Sequence, residues 1–273
     1  MIKNFEILDP KGKTTILHSN LDIFLNNAKN ILTHNIAEMT SDILDQSKQD
    51  LRCQLYSLLE SFYLFIHEEQ EPSAIQTITD DFITVMESIQ RLIEKDIQSA
   101  YDRDPSAYNK VEIILCFPGV DAIIMHRISH ALDNLNIPIL PRMISKKTHE
   151  KTSIDIHPKA KIGESFFIDH GTGVVIGETC IVGDFVTLYH GVTLGAKNFP
   201  KDDNNVLIRG IKRHPNIEDN VTIYSNTTIL GDITIGRGSI IGANVSITKD
   251  IAPQSRVYQQ KYRQTTFEDG LGI

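Results

Sequence analysis

Four residues carry the chemistry that this sequence suggests. Within "FFIDHGTGVVIGET", residues 166–179, Asp169 stands directly before His170; His190 follows further along the chain, and Asp155 lies fifteen residues before His170. An imidazole held by a carboxylate is the arrangement of a general base, because the carboxylate fixes the tautomer and stabilises the imidazolium formed when a proton is taken. Two other readings fit the same residues. The histidines are surface residues of a repetitive scaffold, or His170, His190 and His214 bind a metal through neutral imidazoles.

The surrounding sequence shows what must hold them. Ile217, Ile223, Ile229, Ile235, Ile241 and Ile247 fall at intervals of six, and Val221, Thr227, Ile233, Ser239, Val245 and Ile251 follow at the same step. Upstream, Ile156, Ile162, Ile168 and Val174 hold one six-residue phase and Ile176, Val182, Leu188 and Leu194 another, displaced by two residues at "GTGVV". This hexapeptide repeat predicts a parallel β-helix, in which each unit gives a short strand and a corner and successive coils bury a continuous core. Three units make a triangular coil of about eighteen residues. His170 and His190 each follow an inward residue by two, which sets them one coil apart at the same corner, and Asp155 is expected on the coil before His170. "AKNFPKDDNNVLIRGIK", residues 196–212, breaks the rhythm with Pro, Asp-Asp and Asn-Asn and is expected to loop out of a coil.

The first half has a different period. Phe82, Val85, Ile89, Leu92, Ile93 and Ile97 recur at three- and four-residue steps, as do Leu51, Leu55, Leu58, Leu59 and Phe62. That spacing lines one face of an α-helix. Asp80 and Asp81 suit the first helix's N-terminus, and Pro105 lies beyond its end. A third helix is expected over 120–135, stopped by Pro138 and Pro141. The expected organisation is α+β: a helical domain over 1–145, a β-helix over 146–252 and a tail over 253–273.

Composition narrows the function. The chain has 273 residues, 41% hydrophobic and 23% charged, with a formal net charge of −8. That charge argues against a basic nucleic-acid-binding surface. No apolar run approaches the roughly 20 residues that span a bilayer, and "MIKNFEILDPKGKTT" has no secretory signal, so a cytoplasmic location is expected. Cys53, Cys116 and Cys180 are too scattered for a disulfide framework or a CxxC site and are expected to be reduced and buried.

"DIHPKAKIGESFFIDHGTGVVIGET", "HGVTLGA", "KRHPNIEDNVTI" and "YDRDP" closely resemble, in order and spacing, the serine O-acetyltransferases, which acetylate L-serine from acetyl-CoA in the first committed step of cysteine synthesis. The resemblance covers roughly residues 95–252. It implies a left-handed coil, His170 as the base that deprotonates the serine hydroxyl, and Asp155 as its partner. It implies that Asp104 and Asp169 bind the serine ammonium and that Arg213 and His214 bind its carboxylate, for which a guanidinium fork is suited. Acetyl-CoA is implied as co-substrate, with no metal, lying in a groove between coils of neighbouring subunits against the small residues Ala196, Ser225 and Ala243. A homo-oligomer follows, a trimer or a dimer of trimers, whose site the loop 196–212 closes. L-cysteine is implied as a feedback inhibitor.

This sequence departs from the family in two places. The loop before "RHP" is about nine residues longer than in the best-known members, and "QSRVYQQKYRQTT" stands where many hexapeptide enzymes have "GVPA". The chain closes on "FEDGLGI", with Ile273 following two glycines, as in members whose tail enters O-acetylserine sulfhydrylase. A terminal carboxylate suits capture by backbone donors in such a pocket.

Overall fold

The computed structural model describes residues 10–37, 41–68 and 70–259. Among the described residues seven helices come first: α1 Pro10–Leu32, α2 His34–Ala37, α3 Ser41–Phe65, α4 Pro72–Arg103, α5 Lys110–Cys116, α6 Pro118–Asn134 and α7 Leu140–Thr152. Leu51, Leu55, Leu58, Leu59 and Phe62 of α3 and Phe82, Ile89, Ile93 and Ile97 of α4 form the core of this part. The helix expected to begin at Asp80 begins eight residues earlier, because Pro72 suits the first turn and Ile75 and Thr79 extend the buried stripe. Pro141 does not end the helical part either. It sits in the first turn of α7, where no backbone N–H is needed, so the helices run to Thr152, past the expected boundary at 145.

The strands follow as β1 Asp155–Ile156, β2 Lys161–Ile162, β3 Phe167–Asp169, β4 Val175–Ile176, β5 Ile181–Val182, β6 Thr187–Tyr189 and β7 Thr193–Gly195, then β8 Asn216–Ile217, β9 Thr222–Ile223, β10 Thr228–Leu230, β11 Thr234–Ile235, β12 Ile240–Ile241, β13 Ser246–Ile247 and β14 Arg256–Val257. They make three parallel sheets, β1-β4-β7-β10-β13, β2-β5-β8-β11 and β3-β6-β9-β12-β14, the faces of a left-handed β-helix of about five coils. We call these faces A, B and C. The isoleucines at 217, 223, 229, 235, 241 and 247 all point into the core. Val257 pairs beside Ile241, so the coil continues beyond the expected end at 252.

The register locates both irregularities. Asp155 pairs with Val175 and Phe167 with Thr187, a coil of twenty residues, whereas Thr228 pairs with Ser246, a coil of eighteen. The two extra residues lie between Ile168 and Val174, the corner that carries His170. Thr193 pairs with Thr228, thirty-five residues on, and the seventeen beyond a normal coil equal the expected loop 196–212.

Two helices dock on the β-helix through a buried ion pair. Arg127 of α6 donates from Nε and Nη2 to the carboxylate of Asp96 on α4, at 2.7 and 3.0 Å, and also to the carbonyls of Ile162 and Gly163. Asp96 in turn accepts from the Phe166 N–H. Gly119 of α6 lies against β3 so closely that a Cβ there would sit 2.1 Å from the Ile168 carbonyl oxygen. Of the cysteines only Cys180 is buried; Cys53 and Cys116 are exposed on outward helix faces, contrary to expectation.

Candidate active site

The residues called from sequence fall at two corners of the prism. At the corner from face C to face A, the register stacks His170, His190, Ser225 and Ala243 in one column, each two residues past an inward Ile or Leu. The expected stacking of the two histidines holds: their ring centroids are 5.8 Å apart at 53°. Above them the side chains become small, which leaves the corner open along the coil axis.

His170 is held by an unusual turn. Elsewhere the corner residue with positive φ lies three past an inward residue, as at Ser165, Asn220, Asn226 and Asn244. In the lengthened corner His170 itself has φ +58°, Gly171 has φ +86°, and the Gly171 N–H donates to the Asp169 carbonyl at 2.6 Å. The imidazole is 73% exposed, and the carboxylate nearest it is that of Asp169, 3.7 Å from Nδ1. Asp155 opens the coil that His170 closes. Fifteen residues is three quarters of this twenty-residue coil, so Asp155 does not lie on the coil before, and among the described residues it makes no ion pair with His170. It bears instead on His157.

Asp104 reaches the same corner from the helices. It caps the C-terminus of α4, and its Oδ1 accepts from the N–H and hydroxyl of Ser106. Arg103, one residue earlier, donates to the Thr187 hydroxyl at 2.8 Å and fixes this helix end to β6. Tyr189, beside Asp169 in the sheet, stacks on Tyr224 with centroids 4.9 Å apart. Burial pushes the Tyr189 phenol above its ordinary value, and Tyr224, Asp169 and Asp104 add to the effect. The two carboxylates assigned to the serine ammonium therefore act on one phenol.

The corner from face A to face B carries the rest. Glu178, Ala196 and Gly231 stack there, and the extruded loop leaves and returns at this point. The loop is a short hairpin: Lys201 bridges Leu207, and Asp202 Oδ1 accepts from the N–H groups of Asn204 and Val206. Its root borders an open cavity of about 290 Å³ lined by Lys197, Asn198, Lys212, Arg213, Gly231 and Asp232, among others.

The hydrogen bonds of His214 settle its tautomer. The Thr179 hydroxyl accepts from the N–H groups of Arg213 and His214, so its own proton goes to His214 Nδ1, 2.8 Å away. Nδ1 also accepts from the Thr179 N–H. The ring proton is therefore on Nε2, which makes His214 a neutral donor. Burial, with Arg213 and Lys212 adding, lowers its pKa to about 4. Gly177 makes room for the ring, since a Cβ there would lie 2.2 Å from His214 Nε2. Arg213 donates to Glu178 at 2.5 Å, and this bond holds the Glu178 carboxyl below its ordinary range.

His214 is thus one prism face away from His170 and His190, and the three imidazoles share no site within one chain. Sequence reasoning missed Glu178 and Thr179. Their signal was positional: Glu178 follows the inward Ile176 by two residues, the corner place that His170 and His190 had already marked, and Thr179 is its neighbour.

Residues 39–124 match the N-terminal serine acetyltransferase family, and residues 214–249 match the bacterial transferase hexapeptide family of six repeats. The chain is 50% identical over 196 residues to a plasmid serine acetyltransferase of Synechococcus elongatus, over 72% of this chain and 61% of that protein. It is 44% identical over 167 residues to a Bacillus subtilis serine acetyltransferase, over 61% of this chain and 73% of that protein. Among solved structures, Entamoeba histolytica serine acetyltransferase 1 in complex with L-cysteine superposes with a TM-score of 0.76 at 30% identity, covering 90% of this chain and 98% of that one. The Neisseria gonorrhoeae enzyme in complex with serine gives 0.60 at 29% identity, over 86% and 95%. Likeness of this extent, over helices and coils alike, makes the chain a member of the serine acetyltransferase family, the acyltransferases that acetylate serine.

Proposed function

We propose that this chain transfers the acetyl group of acetyl-CoA directly to the hydroxyl of L-serine, with His170 as general base. The observation that carries the reading is the exposed imidazole of His170 beside Asp169, on a corner whose column continues into the small residues Ser225 and Ala243. A serine hydroxyl is a poor nucleophile until a base takes its proton. His170 takes it, the oxygen attacks the thioester carbon, the C–S bond breaks, and the leaving thiolate recovers the proton. No acyl-enzyme forms, so double-reciprocal plots should intersect; parallel lines would count against direct transfer.

Asp104 and Asp169 hold the serine ammonium, and Asp155 is the further carboxylate of the corner available to orient His170. Arg213 and His214 take the carboxylate, the first as a cation and the second as a neutral Nε2–H donor. Because those two groups stand at different corners, we assign the complete site to two copies, corner C/A of one against corner A/B of the next. Such head-to-tail contact closes into a ring, which fits a trimer, alone or paired. Acetyl-CoA lies along the opening, past Ser225 and Ala243 of one copy and Ala196 of the other.

Regulation and partners extend the same reading. The Entamoeba enzyme was solved with L-cysteine, and cysteine differs from serine at one atom, so we propose competitive inhibition of this chain by cysteine. No helix of the described residues is long and apolar enough to cross a membrane; with acetyl-CoA as donor, we place the reaction in the cytoplasm. The expected sulfhydrylase contact through Ile273 lies outside the described residues. Deleting Gly270–Ile273 should abolish sulfhydrylase binding in calorimetry, and unchanged binding would sink that partner.

Release of free CoA thiol, followed with L-serine, L-homoserine and a hexosamine as separate acceptors, tests the reaction. Release should require serine, and His170→Ala should lower turnover by about 10² to 10⁴-fold, the range for a positioned base. A faster reaction with the hexosamine would make the chain a sugar acetyltransferase instead.

A further inference from the structure

A second column runs beside the one at the corner from face C to face A. On face C the residues one past each inward position are Asp169, Tyr189, Tyr224, Gly242 and Tyr258, in register from coil to coil. Tyr189 and Tyr224 stack with planes 11° apart and centroids 4.9 Å apart, close to one strand spacing of about 4.8 Å. Their rings therefore lie across the coil axis. Tyr189 covers one face of Tyr224, and the other face turns to the next coil, where Gly242 has no side chain to cover it.

The following coil supplies an opposite wall. The Tyr258 ring leans back over Gly242, since a Cβ on Gly242 would lie 2.8 Å from Tyr258 Cδ1. The strands of Tyr224 and Tyr258 are two spacings apart, about 9.6 Å, and the lean of Tyr258 brings the rings closer than that. A flat group between two rings needs two van der Waals separations, about 7–8 Å in all. The cleft takes one aromatic plane, with glycine as its floor. Both tyrosines are exposed. Arg256, two residues before Tyr258 on β14 and so on the same face, is exposed as well and sets a cation at the rim.

Position selects the flat group. With the thioester at His170, the arm of acetyl-CoA between sulfur and pyrophosphate has the backbone length of about four residues, about 14 Å extended. Gly242 lies three coils above Asp169, also about 14 Å. An arm laid past Ser225 and Ala243 thus ends beside the cleft, where the adenine can turn in between the rings and a guanidinium suits the phosphates. A purine has the π-face that such rings stack on, whatever its sequence or setting.

We propose that Tyr224 and Tyr258 clasp the adenine of acetyl-CoA across Gly242, and so determine the preference of this chain for coenzyme A over shorter acyl thioesters. Tyr258 falls within "QSRVYQQKYRQTT", the stretch in which the sequence departs from many hexapeptide enzymes.

The clasp rests on the acyl-transfer reading above, and two donors compared on the full chain separate the two. S-acetylpantetheine keeps the thioester and the arm but has no adenine. Tyr258→Ala should raise KM for acetyl-CoA by about 5- to 100-fold, the range for one stacked base, with kcat and KM for serine little changed. The effect should vanish when S-acetylpantetheine is the donor. Tyr258→Phe keeps the ring and should restore the wild-type KM, and Tyr224→Ala should show the same split between donors. Calorimetric titration with CoA should show the same loss of affinity without turnover. An unchanged KM for acetyl-CoA in Tyr258→Ala, or an equal rise with both donors, would overturn the clasp and leave the reaction intact. A folded wild-type chain that binds CoA through Tyr258 but does not acetylate serine would overturn the reaction and leave the clasp.

Discussion

His170 adopts a backbone conformation that His190, at the matching place one coil on, leaves to Gly191. Such left-handed turns are held in place by their surroundings, and here Gly171 is the support. A Cβ on Gly171 would approach Ile154 Cδ1 to 2.4 Å, and its φ of +86° disfavours any side chain. Gly171→Ala should cost about 1–3 kcal/mol in urea unfolding and lower kcat more than KM, because it displaces the base rather than the binding groups. Half-buried His157 and buried His214 give an acid sensitivity. Burial brings His157 and His214 down to about 4, against about 6.5 in an unfolded chain. Between those values the unfolded chain holds protons that the fold refuses, so stability is lost as pH falls from about 6.5 towards 4. The urea midpoint should drop between neutral pH and about pH 5, and drop less in His214→Asn, which keeps an acceptor near Nδ1 without the titration. At this scale the sequence revealed the groups with distinctive chemistry. It did not reveal that Arg213 is tied to Glu178 or that the Thr179 hydroxyl sets the proton position on His214, because an isolated Glu and Thr carry no signal until the coil places them.

Among the elements, the coil was legible almost residue by residue. A six-residue period is imposed by the core itself, and even the two-residue phase slip at "GTGVV" is present in the register. Helix ends were less legible, since Pro72 and Pro141 open helices as readily as a proline closes one, and choosing between these roles needs the packing partners of Ile75 and Ile144. The docking of α4 and α6 was not legible at all. Asp96 and Arg127 look like ordinary polar positions, yet they are 2% and 5% exposed and bind each other twice. Removing one partner of a buried pair leaves an uncompensated charge, so Asp96→Ala should destabilise the chain by about 3–5 kcal/mol. Calorimetry should show a fall of about 10 °C in melting temperature. Asp104 caps the C-terminus of α4, so any of this variant that remains folded should also bind serine more weakly.

For the whole molecule, the separation of the two corners predicts complementation. His170→Ala and Arg213→Ala each spoil a different half of the site. If neighbouring copies supply the halves, subunits of the two inactive variants mixed and reassembled should regain activity at about a quarter of the sites, because each site needs one intact contribution from either side. Activity no higher than that of the separate variants would show that each chain completes its own site. The column from His170 through His190 and Ser225 to Ala243 also makes the molecule a length standard. Each coil raises the corner by one sheet spacing, about 4.8 Å, so the side chains mark equal graduations along the edge of a stiff rod. A co-substrate laid along that edge is gauged by counting coils, and inserting one eighteen-residue coil between His190 and Ser225 would move the far end by one graduation while leaving the reacting end in place.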